Sequence, residues 1–256
     1  MKEKADLLGI HVDRCTLGLA LAKTNQALNE KRCQIVFSCA NPHSLVVAQT
    51  DAEFKRALNN SELVVADGVG IQFVSRIFGL TECPRITGAD YFYAVMKALN
   101  ERGKSRLFFF GSTEKVLELI VDKVKNDFPR VKVCGVLSPP FGPWSEDENN
   151  LFISEINRAK PDVLWVGMTA PKQEKWVDQN RHRLQVPVIG SIGAVFDFYA
   201  ETVPRAPVWM CKLGIEWIHR FLKNPRKMWR RNLVSTPKFI GLVMRHYIIR
   251  ESVIKS

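Results

Sequence analysis

The sequence predicts an α/β layered domain built on a mostly parallel sheet, extended at its C-terminus by a helical, strongly basic stretch. Strand-like runs alternate with amphipathic helical stretches up to about Pro204, and the turns between them are short. After that point Pro207, Pro225 and Pro237 punctuate helical stretches with no strands between them. A boundary near residue 205 therefore divides an α/β body, 1–204, from a helical appendage, 205–256.

The N-terminus, Met1-Lys2-Glu3-Lys4-Ala5-Asp6, runs into a short apolar strand-like segment rather than a signal-peptide core. The expected strands are then Gln34–Ser38, Leu63–Ala66, Arg106–Phe110, Val131–Leu137, Asp162–Val166 and Val186–Ile189. Between them the amphipathic stretches are Ser44–Leu58, Ala89–Asn100, Glu114–Asn126, Glu146–Ala159 and Lys172–Arg183, with a further helix over Ile71–Phe78. In Glu146–Ala159, for example, Leu151, Ile153 and Ile156 recur at spacings a helix uses to face a sheet. In such folds ligands bind beyond the carboxyl ends of the strands, so polar residues just after strands carry the weight of the search.

Composition bounds the function. With 256 residues, 46% of them apolar, the chain can bury a sizeable core, and at 25% charged it is not built for wholesale disorder. No apolar stretch approaches the roughly 20 residues needed to span a bilayer, so the chain is expected to be soluble or peripheral. The six cysteines are scattered, with no C-x-x-C pair, which suits neither a zinc site nor a compact disulfide framework. Most sit in apolar contexts as core residues would, and a reducing, cytoplasmic compartment follows. The net charge of +11 is concentrated: residues 205–256 hold twelve Lys/Arg against two acids, Glu216 and Glu251. The body is nearly neutral and the last fifth is not. Such asymmetry points to an anionic surface as partner, lipid head groups or nucleic acid.

Four post-strand sites could carry chemistry. In Ala40-Asn41-Pro42-His43-Ser44, Asn41 suits a turn or helix cap, or a fixed amide facing a sugar or base. In Ala66-Asp67-Gly68-Val69-Gly70, Asp67 suits a helix cap, or a carboxylate placed to take a proton from an attacking hydroxyl. This G-x-G lacks the third glycine of a dinucleotide fingerprint. In Arg85-Ile86-Thr87-Gly88-Ala89-Asp90, Arg85 is a solvated surface residue, or holds a diphosphate with the help of a helix N-terminus. Finally, Lys172, Gln173 and Glu174 crowd the exit of the Val163–Val166 run, and Asp197 follows in an apolar surround that demands hydrogen-bond partners.

Taken together, the segments Asn41-Pro42-His43-Ser44, Ala66-Asp67-Gly68-Val69-Gly70, Thr87-Gly88-Ala89-Asp90, Pro171-Lys172-Gln173-Glu174-Lys175-Trp176 and Gly193-Ala194-Val195-Phe196-Asp197-Phe198 resemble the WecG/TagA/CpsF glycosyltransferase family. Arg205-Ala206-Pro207-Val208-Trp209, Gly214-Ile215-Glu216-Trp217 and Arg230-Arg231 extend the likeness, which runs in order from about residue 6 to about 240. The resemblance implies a Rossmann-like core and a basic C-terminal appendage that meets the membrane. It further implies inverting transfer of N-acetylmannosamine or a related hexose from a UDP-sugar, with no obligatory metal and no other cofactor. The acceptor it implies is a sugar linked to polyprenyl diphosphate, used in cell-surface polysaccharide biosynthesis, and the setting is the inner face of the cell membrane. Asp67 falls on the family's general base. Asn41, Arg85, Gln173 and Asp197 fall on the donor pocket, and Arg220, Arg226, Lys227 and Arg230 at or near the cations that hold the acceptor's diphosphate or the membrane. Two departures bear on the donor sugar: Cys39, where relatives often have threonine, and Glu201, where a glycine is usual.

Inverting transfer needs a base for the acceptor hydroxyl and stabilisation of the departing diphosphate, which Asp67 and Arg85 can supply. A nucleic-acid-binding protein would explain the basic tail but would leave the polar sites of the neutral body idle. A nucleotide-dependent oxidoreductase is disfavoured by the missing glycine. The expected partners are therefore a UDP-sugar, a lipid-linked acceptor and an anionic membrane, not nucleic acid. Oligomeric state is not legible in the sequence.

Overall fold

Leu107, Phe108, Phe109 and Phe110 are all buried, with Leu107 and Phe109 in one apolar cluster and Phe108 and Phe110 in another. Successive side chains of a strand face opposite sides, so this strand must be covered on both faces. The computed structural model, which describes residues 4–30, 33–77, 83–204, 206–207, 209–210, 216–223, 225, 229 and 234–254, shows how.

Six parallel strands form the central sheet in the order β4-β3-β8-β7-β5-β6. They are β3 (Ile35–Ala40), β4 (Leu63–Ala66), β5 (Ser105–Phe110), β6 (Val131–Leu137), β7 (Val163–Val166) and β8 (Val188–Ser191). Helices α1 (Leu17–Glu30), α5 (Gly88–Arg102), α6 (Glu114–Asp127) and α9 (Val195–Tyr199) cover one face, where Tyr91, Ile120 and Tyr199 meet Leu107, Phe109 and Trp165. On the other face, α7 (Glu146–Ala159) and α8 (Lys172–Asn180) bring Ile153, Ile156 and Trp176 against Phe108, Phe110 and Leu164. That face continues at the β4 edge. There α2 (Pro42–Val47), α3 (Ala52–Asn59), α4 (Val69–Ile77) and the antiparallel hairpin of β1 (Lys4–Leu7) and β2 (Ile10–Asp13) pack around Val64 and Ala66. This three-layer arrangement is the Rossmann-like α/β fold expected.

Local chemistry moved some boundaries. The single helix expected over Ser44–Leu58 is two, because the Asp51 carboxylate accepts the Phe54 N–H (3.0 Å) and starts a new helix there. The helix expected over Lys172–Arg183 leaves α-helical form at Asn180 and ends in a 3₁₀ turn, Arg181–Arg183. Pro187 has no N–H to give a ladder, so β8 begins after it, at Val188 rather than Val186, while the Pro187 carbonyl accepts from Ile35 N (2.8 Å). Cys33 is exposed rather than in the core.

The chain beyond residue 205 is described in part. Helix α10 spans Glu216–Lys223 and α11 spans Thr236–Ile254. Phe239 and Val243 of α11 are buried in the same cluster as Leu45 of α2 and Ile71 and Val74 of α4. The end of the basic stretch is thus built into the core of the body. Arg226, Lys227 and Arg230 lie outside the described residues, as does the side chain of Arg220. Among the described residues, no helix is long and apolar enough to cross a membrane.

Candidate active site

The five site residues expected in the body all lie at the carboxyl ends of four neighbouring strands. Asp67 follows β4, Asn41 follows β3, Asp197 lies just beyond β8 in α9, and Gln173 lies just beyond β7 in α8. At about 4.8 Å per strand this row spans about 14 Å. Arg85 joins it through a parallel bridge to Ala66, and the next residue's N–H, from Ile86, donates to the Ala66 carbonyl (3.0 Å).

Asn41 caps α2: its Oδ1 accepts from Ser44 N (3.0 Å), and Ser44 Oγ accepts from Asn41 N (2.7 Å). The cap holds the side-chain amide fixed at the strand end. Asp67 is half-buried, and its N–H donates to the Ala40 carbonyl (2.7 Å), tying the exits of β3 and β4 together. A Cβ on Gly70 would stand 2.8 Å from Pro42 Cγ, so only glycine lets α4 start directly against α2. Asn41 and Asp67 are side by side because Ala40 and Ala66, the residues before them, are partners in the parallel ladder. Thr87 and Asp90 make a reciprocal cap at the start of α5 (3.1 and 3.0 Å), which fixes the turn just after Arg85.

Across the row, Gln173 and Glu174 are both buried, and Gln173 Nε2 donates to Glu174 Oε1 (2.8 Å). The other oxygens of these two side chains, Gln173 Oε1 and Glu174 Oε2, have no partner among the described residues, and neither has Oγ of the buried Ser191 at the end of β8. Burial pushes the Glu174 carboxyl up to about 7. The Gln173 amide lies against the turn at Gly193, about where a side chain would begin, 3.5 Å from a Cβ placed there. Cys39, near the end of β3, connects the two halves of the site. Its thiol is held well above the ordinary thiol range, first by burial, then by the negative charges of Asp67, Glu174 and Asp90. The floor between strand ends is therefore acidic and poorly hydrated. Glu174 there holds its proton more tightly than it would in water.

One expectation is corrected. Asp197 is half-buried rather than enclosed by apolar groups, and its carbonyl accepts from Thr202 N (3.1 Å) and Val203 N (3.3 Å), closing α9. Glu201, one of the two departures, is engaged away from the strand exits. It adopts φ +57°, and its exposed carboxylate pairs with Lys123 Nζ (2.8 Å) late in α6. A glycine there would take the same left-handed backbone without strain.

Sequence reasoning saw Glu174 only as one of several polar groups crowding a strand exit; the two-residue pairing with Gln173 was beyond it. It also missed a link from the C-terminal stretch, where Ser235 Oγ lies 2.7 Å from His43 Nδ1, two residues from Asn41. Among the described residues, no group of three or more His, Cys, Asp or Glu could hold a metal ion.

Comparison with known proteins gives this geometry its context. The chain is similar to the N-acetylglucosaminyldiphosphoundecaprenol N-acetyl-beta-D-mannosaminyltransferase of Bacillus subtilis (strain 168), with 30% identity over 84% of this chain and 81% of the relative. Enzymes of the same name in Bacillus spizizenii (29% identity; 81% and 77% covered) and Staphylococcus aureus strain MW2 (26%; 93% and 91%) are similar along most of their length. The model of the Glycosyl transferase WecG/TagA/CpsF family matches residues 5–252, and with so much of the chain matched it belongs to that family of glycosyltransferases.

Proposed function

We propose that this enzyme transfers an N-acetylhexosamine, N-acetylmannosamine or a close relative, from a UDP-sugar to a sugar carried on polyprenyl diphosphate, with inversion. The reading is carried by the half-buried Asp67 at the exit of β4 beside Arg85, in a glycosyltransferase whose relatives bear names specifying that donor residue and acceptor. Asp67 takes the proton of the attacking hydroxyl. Arg85 and the capped start of α5 meet the charge that gathers on the departing diphosphate. Asn41, Gln173 and Asp197 line the donor pocket between them.

The acceptor is lipid-linked, so the carboxyl end of the sheet works against a membrane. The basic stretch with Arg220, Arg226, Lys227 and Arg230 supplies the attraction to anionic lipid and to the acceptor's diphosphate, at about 1 kcal/mol per cation near the surface. Trp217, Leu222 and Trp229 are exposed along the same stretch, where aromatic rings settle at head-group level. The contact of Ser235 with His43 supports a tail that passes beside the site. The enzyme then sits peripherally on the cytoplasmic face, where UDP-sugars are made.

The deciding experiment is a panel of UDP-sugars assayed on N-acetylglucosaminyl-diphosphoryl polyprenol in anionic vesicles. Product from one N-acetylhexosamine donor, with chelator present, is the expected result. Turnover of none of the donors, or an absolute requirement for a divalent ion, contradicts the mechanism.

A further inference from the structure

Phe141 is the most exposed large apolar side chain among the described residues, 91% open to solvent. It sits in Ser138-Pro139-Pro140-Phe141-Gly142-Pro143-Trp144, the connection from β6 to α7, so it projects from the end of the sheet that bears the site. This connection is anchored at several points. Ser138 Oγ donates to the Ser112 carbonyl (2.7 Å), and Pro139 is buried. Trp144 packs edge-on against Phe152, 5.5 Å between ring centres. Lys172 Nζ donates to the Gly142 carbonyl (2.7 Å) and lies 3.8 Å from the centre of the Trp144 ring. Three prolines in seven residues restrict the backbone further. A phenylalanine held out on so fixed a support pays little ordering entropy when something covers it.

We infer that the β6–α7 connection is a second membrane contact, in which Phe141 enters the boundary between head groups and acyl chains of the bilayer. The inference rests on the lipid-linked acceptor proposed above. Its geometric argument is the position of the connection relative to the tail. The C-terminal helix α11 packs on α2 and α4 at the β4 edge, whereas the Phe141 connection rises from β6 at the opposite edge. Five strand spacings, about 24 Å, separate them, and the strand exits bearing Asp67, Asn41 and Gln173 lie between. One contact at the β4 edge would let the body pivot. A second on the far side turns the exits of all the strands toward the bilayer and holds them there. Lys172, which grips the connection, precedes Gln173, so the contact is joined to the site by a single peptide.

The tail's attraction is electrostatic and fades with salt; the Phe141 contact is apolar and does not. The test uses the full chain with 4-fluorophenylalanine placed at position 141, or at exposed position 101 near the opposite end of α5, on vesicles of phosphatidylglycerol and phosphatidylcholine carrying a spin label on the acyl chain. Fluorine resonance broadening at 141 but not at 101 is expected. The variant Phe141→Ser should bind vesicles about tenfold more weakly, a factor equal to about 1.4 kcal/mol, with the same ratio at low and high salt. Its transfer to a water-soluble short-chain acceptor should be unchanged. Wild-type protein that binds vesicles while position 141 stays sharp, or a Phe141→Ser affinity within about twofold of wild type, overturns this inference and leaves the tail's role standing. A wild-type chain that fails to bind vesicles at all overturns both.

Discussion

Replacing Glu174 with glutamine should make the protein more stable at alkaline pH and leave it unchanged in acid. The folded chain holds this carboxyl at about 7, against an ordinary value of 4.5, because the residue is 5% exposed and one of its oxygens has no partner among the described residues. Between those two pH values the unfolded chain has lost the proton and the folded chain keeps it. The folded state therefore binds more protons, and stability falls as pH rises from 4.5 toward 7, then levels off. The gap amounts to about 3 kcal/mol, at about 1.4 kcal/mol for each factor of ten. Below about pH 4.5 both states are protonated and the cost is absent. Glutamine has nearly the same shape and never ionises, so Glu174→Gln removes the cost without opening a cavity. Urea melts of wild type and variant from pH 4 to 8.5 should diverge by roughly 3 kcal/mol at the upper end and converge at the lower. A difference that does not vary with pH would mean that Glu174 is ionised in the folded protein, and the account of an acidic, dry floor would fail with it. Above about pH 7, where Glu174 ionises, the same variant replaces an acceptor-only neighbour of Gln173 with one that can donate as well as accept, so the amide is no longer held in one orientation. The KM for the donor should rise even where stability has improved.

Asp67→Asn should fold as the wild type does and lose about 10²–10⁴-fold in kcat, since an amide cannot take the acceptor's proton; retention of more than about a tenth of turnover removes Asp67 from that role. Arg85→Ala should weaken UDP binding by about tenfold or more in calorimetry through loss of a charge-assisted contact, and equal affinities would place Arg85 outside the pocket. Glu201→Gly relieves a left-handed backbone and gives up an exposed ion pair with Lys123. These nearly cancel, so the melting temperature should move by no more than about 3 °C and the order of preference among donors should not change; a reordered donor panel would return Glu201 to the site. Phe239→Ala, in the buried face of α11, should cost about 3–5 kcal/mol in denaturant melts of the whole chain. A loss below about 1 kcal/mol would mean that α11 docks on the body without sharing its core.

How much of this was legible in the sequence follows from the range of the interactions involved. The strand Leu63–Ala66 lies where its apolar run puts it, because burial on both faces leaves little choice of register, and the edge strand Val131–Leu137 also has the bounds expected, although only Val131 of it is buried. The exits of β4 and β7 were legible because polar residues mark where a buried run stops: Asp67 directly after β4, and Gln173 at the start of the helix that follows β7. What failed was decided by contacts across the chain. The strand-like segment after Asp6 was legible, but its pairing as the hairpin β1–β2 was not, and helix α1 carried no clear signal. Their apolar residues, Ile10, Val12, Ala20 and Leu28, are few and are buried by partners far along the chain. The break at Asp51 turns on one side-chain oxygen accepting the Phe54 N–H, which competes with a helix that residue periodicity alone would continue.

The C-terminal stretch shows the limit most clearly. Its charge and prolines set it apart from the body in composition, and composition is additive along the chain. Burial is not. Phe239 and Val243 sit four residues apart on α11 and place one apolar face on α2 and α4, while Ile240 and Met244, each the next residue along, are exposed. A short apolar stripe among cations reads as a solvated or membrane-bound helix until its partner is known. Here the partner is the pair of helices that begin at Asn41 and just after Asp67, each started by the geometry that positions those residues. The helix that ends the chain thus braces the two helices at whose starts the proposed base and its neighbouring amide stand.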